Sequence, residues 1–123
     1  METVEKITSA QEWASLPEVS LPTIANDKDT GSIYTIFKVG FLAVSLAECN
    51  KIGLSSTTEF GGKCVLATAV VDFAGQRQLC RLPIALTDWA IDCVALANSG
   101  KNLFPSKVEF GLLDGQTYAQ LVP

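Results

Sequence analysis

The stretch from Lys63 to Leu86, KCVLATAVVDFAGQRQLCRLPIAL, decides the architecture of this chain. Two apolar runs flank Ala74-Gly75, a dipeptide that suits a two-residue turn. A hairpin about that turn sets Asp72 opposite Arg77. Val65, Ala67, Ala69, Val71 and Phe73 then share a face with Cys80, Leu82 and Ile84, while Thr68, Asp72, Arg77 and Arg81 fall on the other. The first face is expected to be core and the second partly wet. Pro83 cannot donate to a ladder, so the second run reads as an edge strand or one bulged near its end.

A second hairpin follows from Ser106-KVEFGLL-Asp114-Gly115-QTYAQLV. Asp-Gly between alternating strands predicts a type I′ turn, with Val108 opposite Leu121, Phe110 opposite Ala119 and Leu112 opposite Thr117. Lys107, Glu109, Tyr118 and Gln120 lie on the other side. Between the hairpins, Thr87-DWAIDCVALANS-Gly100 reads as a helix. Thr87 is its expected N-cap, Asp88 favours its dipole, Gly100 ends it, and Ala90, Cys93, Val94 and Ala97 form its apolar stripe. Ahead of both hairpins, Ile33-YTIFKVGFLAVSL is apolar on both alternating faces, which predicts a strand buried on both sides or bent at Gly40. Glu48 to Gly62 is expected to be a long loop. The order is strand–strand–strand–helix–strand–strand: mainly β with one central helix, either a small barrel or an α+β roll.

With 123 residues the chain fits one domain with a core of its own. Residues 1–31 form an acidic N-terminal arm, and residues 32–123 the β domain. Ser9-Ala-Gln-Glu12 has the form of a capping box for a short helix carrying Trp13 and Leu16. Pro17 and Pro22 end that helix, and Ala25-NDKDTGS resembles a linker. A tryptophan is costly to leave in water, so the arm is expected to dock through Trp13. The net charge of −4 sits wholly in the arm, which has six acids and two bases, whereas the remainder has seven of each. A neutral body leaves room for a polyanionic partner despite the low pI. Neither a basic n-region with an apolar core nor a ~20-residue apolar span is present, so the expectation is a soluble, cytoplasmic protein without membrane contact.

The four cysteines, Cys49, Cys64, Cys80 and Cys93, show no C-x-x-C spacing, and histidine is absent. A zinc site is therefore not expected, nor is any other metal or cofactor. Buried reduced thiols are the expected state, with disulfides or a reactive Cys49 near Lys51 as alternatives. Without histidine, no Ser-His or Cys-His arrangement exists, and no phosphate-binding glycine loop occurs. Asp88 and Asp92 share a helix face, but Asp88 is explained by the dipole. No enzymatic activity and no catalytic residue are expected.

Three strands, a helix and two strands resemble the OB-fold, a five-stranded Greek-key barrel with a helix between its third and fourth strands. The resemblance is topological and covers about residues 32–123; small single-stranded DNA-binding proteins are similar in size and order. It implies a nucleic-acid-binding face on the second and third strands. Mapped here, that face takes Thr68, Arg77 and Arg81, with Lys63 at its start and Lys38, Phe60 and Tyr118 at its flanks. Cations would neutralise phosphates and exposed rings would stack bases. Lys38 is a candidate in its own right, because an ammonium inside an apolar strand must reach an edge or groove. Arg77 and Arg81 could instead pair with nearby acids, Phe60 could plug the barrel mouth, and Tyr118 could simply cover Gly111. The acidic arm could compete for the groove.

The expected function is therefore a non-enzymatic binding module for single-stranded nucleic acid, with self-association left open. The alternative is a protein–protein interaction or accessory module of similar fold. The neutral body and acidic arm favour the alternative; the strand order and Lys63, Arg77 and Arg81 favour the first.

Overall fold

The structure, a computed structural model, describes residues 9–26, 28–53, 59–60 and 63–122, with residues 59–60 described by their backbone alone. Alternating apolar positions make strands β1 (Thr23–Ile24), β2 (Ser32–Val44), β3 (Glu59–Phe60), β4 (Lys63–Phe73), β5 (Gln76–Arg81), β6 (Ser106–Leu113) and β7 (Gln116–Val122). The helices are α1 (Ala10–Ala14), α2 (Leu46–Lys51) and α3 (Thr87–Asn98), the last preceded by a 3-10 turn at Ile84–Leu86. The expected order of three strands, one helix and two strands is present in β2, β4, β5, α3, β6 and β7.

All the described strands belong to one sheet. β2 pairs antiparallel with β4 along its second half and with β6 along its first, β5 pairs with β4, and β7 with β6. β5 and β7 share no ladder, so the sheet is not closed. Both hairpins adopt the predicted register: Asp72 faces Arg77, and Val108, Phe110 and Leu112 face Leu121, Ala119 and Thr117. At both tips two successive residues take positive φ, Ala74 (54°) with Gly75 (85°) and Asp114 (53°) with Gly115 (78°). That backbone matches the right-handed twist of the flanking strands.

The main core lies on the inner side of the sheet. Ile36, Ala67, Ala69, Val71, Cys80, Leu82, Val108 and Phe110 pack there against Ala90 and Cys93 of α3. Trp89 meets Phe104 and Phe110 edge-on, a favourable geometry for aromatic quadrupoles. A second cluster covers the opposite face of the first half of β4, where Cys64 and Leu66 lie beneath Ala10, Trp13, Val44 and Cys49. The outer face of β4 therefore opens only from Val70 onward: α1 and α2 cover its first half, and Thr68, expected on the partly wet side, is buried as well. All four thiols are buried, and none forms a disulfide.

Four expectations are corrected. Gly40 does not bend β2; it stays in the ladder opposite Thr68, and the irregularity falls between Ile36 and Lys38. Thr87 is not an N-cap: its hydroxyl donates back to the Ile84 carbonyl (2.7 Å) as the 3-10 turn runs directly into α3. The apolar stripe of α3 is buried at Ala90 and Cys93, half-buried at Val94 and exposed at Ala97, so only its first half faces the core. Glu48 to Gly62 is not all loop, since α2 ends inside it and β3 opens the pairing with β4.

The N-terminal segment docks, as Trp13 implies. The Ser9 hydroxyl accepts from the Glu12 N–H to cap α1, and the Ala10 N–H donates to Glu48 at the start of α2. The buried Trp13 donates its Nε1–H to the Ala67 carbonyl (2.9 Å). Beyond α1, the Arg81 N–H donates to the Pro17 carbonyl and the Leu112 N–H to the Pro22 carbonyl. The segment thus crosses from β5 to β6 and drops Val19 into the main core. Among the described residues no helix is long and apolar enough to cross a membrane.

Candidate nucleic-acid interface

The irregularity in β2 creates the site. Ile36 faces Val71 and Lys38 faces Val70, so two steps on β2 match one on β4. This is a β-bulge, and its extra residue is Phe37. Ile36 remains in the core with Val71, whereas Lys38 emerges on the outer side with Val70. Phe37 also lies on that side, because the Arg77 guanidinium covers its ring at 4.1 Å from the centroid. In an unbroken strand Phe37 and Lys38 would point to opposite faces. The bulge presents both together.

Three rows of side chains result. Phe37 lies beside Asp72 and Arg77; Lys38, Val70 and Leu79 form the next row; Gly40, Thr68 and Arg81 form the third. Lys38 and Arg77 are exposed, while Phe37, Val70 and Leu79 are half-buried. On the side toward β6, Thr35 faces Lys107, whose neighbour Val108 points into the core, so Lys107 adds an exposed cation to the outer surface. Asp72 turns its Oδ1 to the Gly75 N–H (2.9 Å) and helps hold the hairpin tip.

Arg81 closes the far end. Its Nε donates to Glu18 (3.1 Å), its Nη1 donates to the Ala14 carbonyl (2.6 Å), and its guanidinium lies 5.7 Å from the Trp13 ring. The docked segment therefore holds Arg81, while the exposed Lys38 lies one row along the same face.

The six expected site residues do not form one cluster. Lys38 and Arg77 come together around Phe37. Arg81 shares their face but is engaged by Glu18. Lys63 stands at the other end of β4, roughly 30 Å from Arg77 at strand spacing. The Phe60 side chain lies outside the described residues. Tyr118 is on β7, where its ring packs over Gly111 and its hydroxyl donates to Glu109 (2.5 Å). Glu109 also accepts from the Gly31 N–H (3.1 Å). The hydrogen bond from Tyr118, and secondarily that from Gly31, hold the Glu109 carboxyl below its ordinary range; the same Glu109 contact raises the Tyr118 phenol.

Two residues of the surface, Phe37 and Lys107, escaped the sequence reading. Strict alternation hides Phe37, since nothing in IFKVG marks the extra residue. Lys107 was visible as an outward residue of the second hairpin, but its place beside Thr35 depends on which half of β2 pairs with β6.

The chemistry available is that of cations beside an aromatic platform. Lys38 offers a mobile point charge, and Arg77 a planar donor set already stacked on a ring. Burial pushes the Cys80 thiol up to about 11, and burial with the neighbouring Asp92 charge does the same for Cys93, so neither is a ready thiolate. Among the described residues no group of three or more metal-ligating side chains converges. No family model, curated protein or solved structure matches this chain.

Proposed function

We propose that this chain is a non-enzymatic module that binds single-stranded nucleic acid on the outer face of β2, β4 and β5. The observation that carries the reading is the Arg77 guanidinium stacked on Phe37 beside the exposed Lys38. A planar cation over a ring presents a flat surface for a base while keeping N–H donors for phosphate. The strand order supports an OB-like arrangement: β2 joins a β4–β5 arm to a β6–β7 arm, and α3 lies between the third and fourth strands. In such folds this face carries oligonucleotides.

Lys38, Arg77 and Lys107 supply the phosphate contacts, and the Arg77 plane backed by the Phe37 ring the stacking surface. The small number of cations implies modest affinity with a shallow salt slope. The test is titration of a labelled single-stranded oligonucleotide with the wild type and with the Lys38→Ala, Arg77→Ala double variant. Binding that weakens with salt and is largely lost in the variant supports the reading; absence of binding at low salt moves it to the protein-interaction alternative.

A further inference from the structure

We propose that the Glu18 carboxylate occupies an anion subsite on Arg81, and that a phosphate of the bound strand takes its place. The inference rests on the nucleic-acid reading of the same face and adds a further phosphate position with a built-in competitor. Arg81 and Arg77 lie on the same side of β5, four residues apart, so a strand engaged at Arg77 can extend along Leu79 toward Arg81, roughly 13 Å away.

The guanidinium of Arg81 is already prepared for an anion. The Ala14 carbonyl takes Nη1 and the Trp13 ring lies 5.7 Å away, which fixes the plane of the fork. Glu18 then meets Nε through one oxygen at 3.1 Å, a position that a phosphate oxygen can equally fill. The side chains of Arg81 and Glu18 retain 30% and 35% exposure, so the exchange requires no unfolding.

Magnitudes decide what moves. A half-exposed ion pair holds weakly, whereas Trp13 and Val19 are almost wholly buried and Pro17 and Pro22 are tied by backbone hydrogen bonds. The Glu18 side chain swings away while the rest of the segment stays docked. The segment therefore lowers affinity by neutralising one cation.

The experiment titrates a labelled oligothymidylate against the full-length wild type, Glu18→Gln, the Glu18→Gln, Arg81→Ala double variant, and Arg77→Ala, at two salt concentrations. Trp fluorescence confirms that each variant keeps Trp13 buried. Glu18→Gln should bind roughly twofold to fivefold more tightly than wild type at low salt. Its salt slope should steepen by about 0.7, the value for one added single-strand phosphate contact, because Arg81 no longer carries its own counter-charge. The double variant should lose both gains. If the wild type binds and Arg77→Ala weakens it, but Glu18→Gln changes neither affinity nor slope, the Arg81 subsite is wrong and the nucleic-acid reading stands. If neither the wild type nor Glu18→Gln binds, both fall together.

Discussion

The Arg77 guanidinium lies 4.1 Å above the Phe37 ring although a whole strand, β4, runs between their own strands β5 and β2. The contact spans the outer face because Phe37 follows the inward-facing Ile36 and the Ala74-Gly75 turn fixes Arg77 opposite Asp72, while the bulge keeps Lys38 on the same side. A backbone irregularity in one strand and a two-residue turn in another hairpin therefore determine a single surface feature.

Replacing Phe37 tests that feature. Phe37→Leu keeps apolar bulk but removes the π surface, so it should cost about 0.5–1 kcal/mol of stability. Its effect on oligonucleotide affinity should be larger, about 1–3 kcal/mol for one lost stacking partner. Arg77→Lys should keep the charge yet lose most of the stacking. Denaturant melts and a binding titration separate the two effects.

Trp13 anchors the N-terminal segment through apolar burial more than through its hydrogen bond. The Ala67 carbonyl also accepts from the Leu82 N–H (3.0 Å), so losing the indole donor leaves no orphan acceptor. Trp13→Phe should cost about 1 kcal/mol, whereas Trp13→Ala should cost about 3–5 kcal/mol through the cavity it leaves. Chemical denaturation gives both values.

Two glycines lie beneath Tyr118 for different reasons. A Cβ at Gly111 would stand 2.8 Å from the Tyr118 ring, which can tilt. A Cβ at Gly31 would overlap the Phe110 carbonyl oxygen, which cannot move without disturbing β6. Both alanine substitutions should destabilise by roughly 1–3 kcal/mol, and Gly31→Ala by more than Gly111→Ala. The order of their denaturation midpoints checks this.

The Glu109–Tyr118 contact predicts a stability plateau with two edges. Glu109 is held below its ordinary 4.5, so its contribution is full above that value and is lost as pH falls through the lower folded-state value. Tyr118 is raised above its ordinary 10.0, which favours the neutral phenol; that contribution is full below 10.0 and lost as pH rises through the higher folded-state value. Tyr118→Phe should flatten both edges in a stability–pH profile measured by denaturant melts. Unchanged edges in that variant would assign them to other groups.

Local chemistry made much of this fold legible. Asp114-Gly115 and Ala74-Gly75 gave both hairpin registers, because positive φ at a two-residue tip leaves little freedom. Gly100 ended α3, with the Lys101 N–H returning to the Leu96 carbonyl (2.8 Å). Trp13 announced its docking through its apolar surface. Two features were not legible. The bulge at Phe37 follows from how a long strand serves two partners at once, and no residue in IFKVG requires it. The covering of Cys64 and Leu66 by α1 and α2 joins segments far apart in the chain, so a β4 buried on both faces looked like one with a wet side. Of the candidate site, Lys38 and Arg77 could be named because a cation in an apolar strand and a cation on the wet face of a hairpin each stand out locally. Lys63, expected at the start of the face, does open β4, and that places it at the other end of the strand from Val70 and Asp72, which face Lys38 and Arg77.

The account rests most directly on fluorescence anisotropy of a labelled oligothymidylate, titrated with wild type and with the Lys38→Ala, Arg77→Ala double variant at about 50 and about 200 mM salt. With three phosphate contacts, wild-type affinity should fall roughly tenfold to twentyfold across that range. The double variant should lose most of the binding while melting at nearly the same temperature. An oligothymidylate that does not bind at the lower salt, or binds equally well to the double variant, contradicts the proposed interface.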